Sequence, residues 1–262
     1  MYLLYFLISI LASIIGGICG IGGGVIIKPV LDATGTMSVS SISFLSGCTV
    51  LAMTTISVFR NSKNSKGIID VKTSTSLAIG GVIGGLLGKL VFELFKSALQ
   101  NENHLGALQS GLLIIVTVGS ILYSIYSKKI HTHYVKSTML CGIIGLFLGT
   151  VSAFLGIGGG PINLTVLFFF LSMDTKKATA NSLYIIMFSQ FAGLLETIIG
   201  GNIPHVSVIV LSLMVAAGIA GGIIGGHINK KISEDIVDRL FIGSMIMIVG
   251  ISIFNLAKFT IL

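Results

Sequence analysis

Apolar residues run through this 262-residue chain in long blocks separated by short polar stretches. Blocks such as residues 112–126 are apolar all round and lack the inside/outside alternation of a barrel strand. Most blocks approach the roughly 20 residues that a helix needs to cross hydrocarbon. They predict spans over 38–59, 73–92, 106–126, 178–199, 206–226 and 238–257. Two further blocks are broken by glycines. "GICGIGGGVIIKP" (17–29) separates arms over 2–19 and 25–35, and "FLGIGGGPINLT" (154–165) separates arms over 137–155 and 161–172. The polar stretches 60–72 and 93–105 read as connectors.

The chain also repeats itself. Gly20-Ile21-Gly22-Gly23-Gly24 recurs as Gly156-Ile157-Gly158-Gly159-Gly160, "GVIGG" (81–85) as "GIIGG" (222–226), and Val118-Gly119 as Val249-Gly250. The landmarks keep their order, which divides the chain into a first repeat over 1–130 and a second over 131–262. Each repeat is expected to hold one broken segment followed by three spans.

Composition agrees with a bilayer setting. Hydrophobic residues make up 53% and charged residues 10%, with a mean hydropathy of +1.03, whereas a soluble domain carries about 25% charge. The net charge of +7 lies between apolar runs, where it reads as a topology signal, and nucleic acid is not an expected partner. If both broken segments crossed the membrane, the sixteen Lys and Arg would divide eight and eight. If each returns to the side it entered, one side collects twelve: Arg60, Lys63, Lys66, Lys72, Lys128, Lys129, Lys136, Lys176, Lys177, Lys230, Lys231 and Arg239. Lys28, Lys89, Lys96 and Lys258 stay on the other. The positive-inside bias then places both termini outside the cytoplasm. A hairpin plus three crossings is an odd number, so the second repeat inserts upside down. The expected fold is therefore an all-α membrane protein of two inverted-topology repeats, each a re-entrant helical hairpin plus three transmembrane helices. In that architecture substrate binds near the midplane, between the repeats.

The glycine-rich tips carry the candidate chemistry. The second arm of each hairpin starts just after the glycines, so its free N–H groups point at the tip. A helix N-terminus carries about half a positive charge, and glycine lets a ligand approach the backbone closely. Two opposed tips suit a small anion, with Gly20, Gly22, Gly23, Gly24, Gly156, Gly158, Gly159 and Gly160 as candidate binding residues. Lys28 lies one turn past Gly24 and either adds charge to that site or snorkels outward. Asn163 and Thr165 occupy the comparable stretch of the second half. Asn181, Ser182 and Gln190, with Ser43, Ser46 and Thr49, are candidates to line the same cavity. The competing readings are close helix crossing for the glycines and interhelical hydrogen bonding for the polar residues. The glycine ridges Gly80, Gly84, Gly88 and Gly218, Gly222, Gly226 read as packing faces.

Other chemistry is not signalled. Neither tip fits a nucleotide fingerprint. His131 and His133 form an H-x-H without further ligands, and Cys19, Cys48 and Cys141 lie in apolar runs without a C-x-x-C pair. Glu93 and Glu196 fall near span ends, where solvated roles suffice; proton coupling through Glu196 is the alternative. No catalytic motif, metal or cofactor is expected, nor a cleaved signal peptide, because no basic region precedes the first apolar run.

"GGICGIGGGVIIKPVL" and "SAFLGIGGGPINL" resemble the two signature segments of the TauE/SafE sulfite exporter family, and the resemblance covers essentially the whole chain. Pro29 stands five residues after Gly24, as in the family pattern. In the second segment Pro161 follows the glycines at once, and Thr165 stands where a later proline usually falls. "KKATANSLYII" (176–186) resembles the segment after the second hairpin, with Asn181 where threonine is common. The resemblance implies an inner-membrane permease that moves small sulfur-containing or organic anions, usually outward, coupled to membrane potential or protons. A secondary transporter for a small anion is the expected function, with an anion channel or a non-transporting subunit as alternatives. The expected partners are the anion and the lipid bilayer, with room left for a homodimer.

Overall fold

The computed structural model describes residues 2–64, 68–99, 102–126, 132, 135 and 137–261. Lys66, Lys128, Lys129, His131, His133 and Lys136 lie outside the described residues, as does the side chain of Lys63. Among the described residues the chain forms ten helices and no strands. These are α1 (Tyr2–Cys19), α2 (Gly24–Thr34), α3 (Val39–Asn64), α4 (Val71–Leu99), α5 (Glu102–Tyr126), α6 (Thr138–Leu155), α7 (Gly160–Leu171), α8 (Thr175–Ile199), α9 (Val208–Lys231) and α10 (Glu234–Ile261). Eight of them, all but α2 and α7, are long and apolar enough to cross a membrane. In hydrocarbon the helix satisfies every backbone group internally, which is why unbroken apolar blocks adopt it.

Among the described residues, much of the polar stretches 60–72 and 93–105 is helix, with 68–70 left as non-helical connection. α3 continues to Asn64, α4 fills Val71–Leu99 and α5 starts at Glu102. Hydropathy marks where a helix leaves hydrocarbon, but backbone hydrogen bonding continues until a cap or glycine stops it. Such caps are visible where helices begin: Leu140 N–H donates to Ser137 Oγ before α6, and Lys177 N–H donates to Asp174 Oδ1 (2.9 Å) before α8.

One order of helices occurs twice: 18, 11, 26, 29 and 25 residues, then 18, 12, 25, 24 and 28. Packing crosses between the two sets. α1 lies against α9, and α6 lies against α4; α3 and α8 pack on each other and on α9 and α4, and α5 pairs with α10. The glycine ridges make these approaches possible. A Cβ on Gly80 or Gly84 would overlap the carbonyl oxygen of Gly142 or Leu146, and one on Gly225 would overlap that of Ile14. Lipid is as apolar as leucine, so close backbone contact rather than hydrophobic burial holds such helices together. Leu3, Ile115, Phe147, Ile246 and Phe254 are exposed on the outside, as a lipid-facing surface requires.

Hydrogen bonds tie the two ends of each broken segment together. Tyr5 near the start of α1 donates from its hydroxyl to Thr36 Oγ1 just beyond α2 (3.0 Å). In the second set, Val135 N–H donates to the Phe170 carbonyl (2.9 Å) and Ser172 Oγ donates to Thr132 Oγ1 (2.7 Å). The entry and exit of each segment therefore lie side by side, while the glycines lie at the far end.

Candidate functional site

α1 and α6 end on glycines in the left-handed region, Gly20 at φ 77° and Gly156 at φ 67°, a conformation that residues with a Cβ adopt at a cost. Close approach adds a second demand for glycine. A Cβ on Gly20 would sit 2.6 Å from Thr179 Cα on α8, and one on Gly156 would sit 2.8 Å from Ser43 Oγ on α3. α8 also straps the first tip directly: Ser182 Oγ donates to the Gly20 carbonyl (2.7 Å) and Thr179 Oγ1 to that of Cys19 (3.3 Å).

α2 and α7 begin without side-chain caps, since their N-cap residues are Gly23 and Gly159. With no side-chain cap, the first N–H groups of each helix lack an intrahelical partner, while Ile26 and Ile27 N–H of α2 already donate to the Gly23 carbonyl (3.1 and 2.9 Å). The tips meet reciprocally. A Cβ on Gly24 would fall 2.6 Å from the Ile157 carbonyl oxygen, and one on Gly160 would fall 3.4 Å from that of Ile21. The second tip has one donor fewer, because Pro161 has no N–H. The same proline disfavours αR at the residue before it, and Gly160 stands at φ 47°.

Buried polar atoms without partners among the described residues gather here. They are Ser13 Oγ beside Gly23, Ser46 Oγ beside Gly24, Ser43 Oγ beside Gly156 and Asn163 Oδ1 beside Gly159. The Gln190 amide lies 3.3 Å from where a Cβ on Gly158 would be. Val50 and Ile186 cover Gly22, and Val50 also reaches Gly158, so aliphatic side chains close the space over the tips.

Lys28 does not snorkel. Its ammonium is buried and donates to Asp32 Oδ2 at 2.8 Å, forming an i,i+4 ion pair whose side chains are each 4% exposed. Lys28 Cε lies 3.4 Å from the Cβ position of Gly156, which brings this cation from α2 to the second tip. Asp32 was not singled out from the sequence, although the K-x-x-x-D spacing is the signal that finds it. Its Oδ1 has no partner among the described residues. Around the pair, Asn255 Nδ2 donates to the Pro29 carbonyl (2.8 Å), and Lys258 donates to the Asp32 and Ala33 carbonyls (3.3 and 3.2 Å). A cation at those last carbonyls complements the negative end of α2.

Other polar residues have structural partners. The Asn181 amide accepts from Asp70 N–H (3.0 Å) and Ser74 Oγ, and donates to the carbonyls of Ile68 (3.1 Å) and Lys177 (2.6 Å). Those four bonds tie the start of α4 to α8 and leave the amide no spare donor. Thr165 and Thr49 donate back to the carbonyls of Pro161 and Leu45 on their own helices. Lys89 pairs with Glu93 at 3.9 Å, and Glu196 Oε2 is buried without a partner among the described residues. Gln109, also missed, donates to the Phe154 carbonyl from α5 (2.5 Å). A buried Gln or Asn in an apolar run shows in sequence, but its target does not. The three cysteines are free thiols.

Comparisons with known proteins agree over most of the chain. A family model described as "Sulfite exporter TauE/SafE" matches residues 5–253. The chain is 26% identical, over 95% of its length and 93% of the relative's, to a protein of Methanocaldococcus jannaschii named a probable membrane transporter protein. It is 21% identical, over 77% of its length and 80% of the relative's, to the probable membrane transporter protein YunE of Bacillus subtilis. No solved structure matches.

Proposed function

The chain belongs to the TauE/SafE sulfite exporter family and is a multi-pass membrane transporter; we propose that it is a secondary transporter whose substrate is a small anion, such as sulfite or an organosulfur or short organic acid. The anion binds between the uncapped N-termini of α2 and α7. The reciprocal approach of Gly24 to Ile157 and Gly160 to Ile21 carries this reading, because it brings the two uncapped helix starts to one place. Oxyanion oxygens accept charge-assisted hydrogen bonds from the N–H groups of a helix start.

The re-entrant, inverted arrangement belongs to the same proposal. Contacts between entry and exit, Tyr5 with Thr36 and Val135 with Phe170, support hairpins over residues 2–35 and 137–172. The exchanged packing of α1 on α9 and α6 on α4 supports two repeats, over 1–130 and 131–262, related by a twofold axis. With Lys and Arg concentrated on one face, both termini lie outside the cytoplasm of an inner membrane.

Within the site, Lys28 contributes a cation already neutralised by Asp32. Arrival of an anion lets Lys28 exchange one negative partner for another. Ser43, Ser46, Asn163 and Gln190 supply side-chain donors. Ser182 positions the Gly20 carbonyl, and Asn181 acts as a clamp on α4 rather than a ligand. Val50 and Ile186 lying over the tips favour alternating access over an open channel. Proteoliposome flux with sulfite, thiosulfate, sulfoacetate and short carboxylates tests the proposal. Saturable, protein-dependent flux of at least one anion is expected; no flux under an ion gradient or a membrane potential overturns it.

A further inference from the structure

Two cavities outside the tip contact are copies of each other. One, of about 50 Å³, lies between the start of α3 and the end of α8 and reaches Gly156. The other, of about 190 Å³, lies between the end of α3 and the start of α8 and reaches Gly17, just before the first tip. Because α3 and α8 contribute opposite ends, the cavities open towards opposite ends of the molecule. Most wall positions of one have their counterpart in the other at the offset of the glycine repeats. Ser43 matches Thr179, Thr197 matches Asn61, and Lys89 of α4 matches Lys230 of α9.

The lysines recur with an acid four residues on, Lys89 with Glu93 and Lys230 with Glu234. In the narrow cavity α4 is continuous, and Lys89 turns to Glu93 at 3.9 Å and over the Phe92 ring. In the wide cavity α9 ends at Lys231 and Glu234 opens α10. Lys230 is exposed there and has no ion-pair partner among the described residues.

We propose that Lys89 and Lys230 are anion-capturing residues of two antechambers, one at each end of the transporter, each feeding the glycine tip at its floor. Each lysine is held by its glutamate when its antechamber is narrow and free when it is wide. This inference rests on the anion-transport reading and adds the route by which the anion arrives. A cation at the mouth of a low-dielectric cleft concentrates anions locally, and added salt weakens the effect.

The test has two arms, both in a background with Cys19, Cys48 and Cys141 replaced. In the first, Ser57→Cys and Gly193→Cys place matched thiols in the two cavities; a Cβ at Gly193 meets nothing within 4 Å. Their labelling rates are compared for an anionic sulfonate-bearing methanethiosulfonate and a neutral one, applied from either side. Each thiol is expected to label from one side only, and from opposite sides. Lys230→Gln should lower the anionic-to-neutral ratio at Ser57→Cys by about threefold or more, and Lys89→Gln should do the same at Gly193→Cys. In the second arm, flux of the anion panel is measured from each side. Each Gln variant should raise KM on its own side only, and Lys→Arg should restore it. Labelling from a common side, or an unchanged ratio and KM, overturns the antechambers even if flux is normal. The expected labelling with no flux of any anion leaves the antechambers standing and removes the transporter reading instead.

Discussion

The two glycine tips open alike, with left-handed Gly20 and Gly22 matched by Gly156 and Gly158, then differ in backbone (Gly23 at φ −64°, Gly159 at φ 108°) and in charge. Both α1 and α6 end in a left-handed glycine, both following helices start uncapped, and each tip lies against the other. Beyond the glycines they part. α2 carries the buried Lys28–Asp32 pair, whereas the positions matching that pair in α7 are Leu164 and Phe168. The duplicated feature is a pair of adjoining, uncapped helix starts, and the unduplicated one is a neutralised pair beside Gly156. In the proposed mechanism the backbone binds the anion from both sides, while only α2 supplies an exchangeable counter-charge.

The comparison breaks most severely at the glycines where the tips touch. Gly24→Val forces a side chain onto the Ile157 carbonyl, and Gly160→Val does so onto Val25 at φ 47°. Both variants should lose flux entirely while still inserting, as checked by size-exclusion profile and transport on the same preparation. Loss in one variant alone would show that the tips do not act as a pair.

The next largest effect sharpens the asymmetry. Asp32→Asn leaves Lys28 buried without its counter-charge and should lower stability by about 3–5 kcal/mol, read from thermal unfolding in detergent. The double variant Lys28→Met/Asp32→Leu should recover most of that stability and yet transport poorly. Wild-type flux from the double variant would reduce the pair to packing.

A smaller effect distinguishes Ser46 from Ser182, which occupy matching positions on α3 and α8. Ser182 donates to the Gly20 carbonyl, so Ser182→Ala should cost about 1 kcal/mol of stability. Ser46 has no partner among the described residues, so Ser46→Ala should leave stability nearly unchanged and raise the KM for the transported anion. Equal stability losses would mean that Ser46 has a structural bond of its own.

Much of this architecture was legible because a bilayer imposes strong rules on sequence. Long apolar blocks gave the helices, and the glycine pentads located the chain breaks at Gly20 and Gly156 to the residue. The ridges on α4 and α9 were read as packing faces and pack in that way at Gly80, Gly84, Gly88, Gly218 and Gly222, whereas a Cβ on Gly226 would meet nothing within 4 Å. Helix ends were less legible, since α3 and α4 run well beyond their apolar cores into stretches that read as connectors. Pairwise polar contacts were the least legible. Lys28 read as adding charge to the tip or snorkelling outward; its buried pairing with the Asp32 carboxylate four residues away removes the second option and was not read from the sequence. Asn181 read as lining the cavity or as bonding between helices, but its partners at Ile68, Asp70 and Ser74, more than 100 residues earlier in the chain, were not legible. Such contacts depend on how α4 and α8 meet, which hydrophobic periodicity does not encode.

The most direct test of the central claim is substrate protection at the tips. Ser43 abuts Gly156, lines the narrow cavity and has no hydrogen-bond partner among the described residues. Ser43→Cys, in a background without the native cysteines, can be labelled with a small thiol reagent while the transported anion is titrated. Labelling should slow as the anion rises, with half-protection at the KM measured for flux. Full-rate labelling at saturating anion would place the substrate elsewhere and contradict the account.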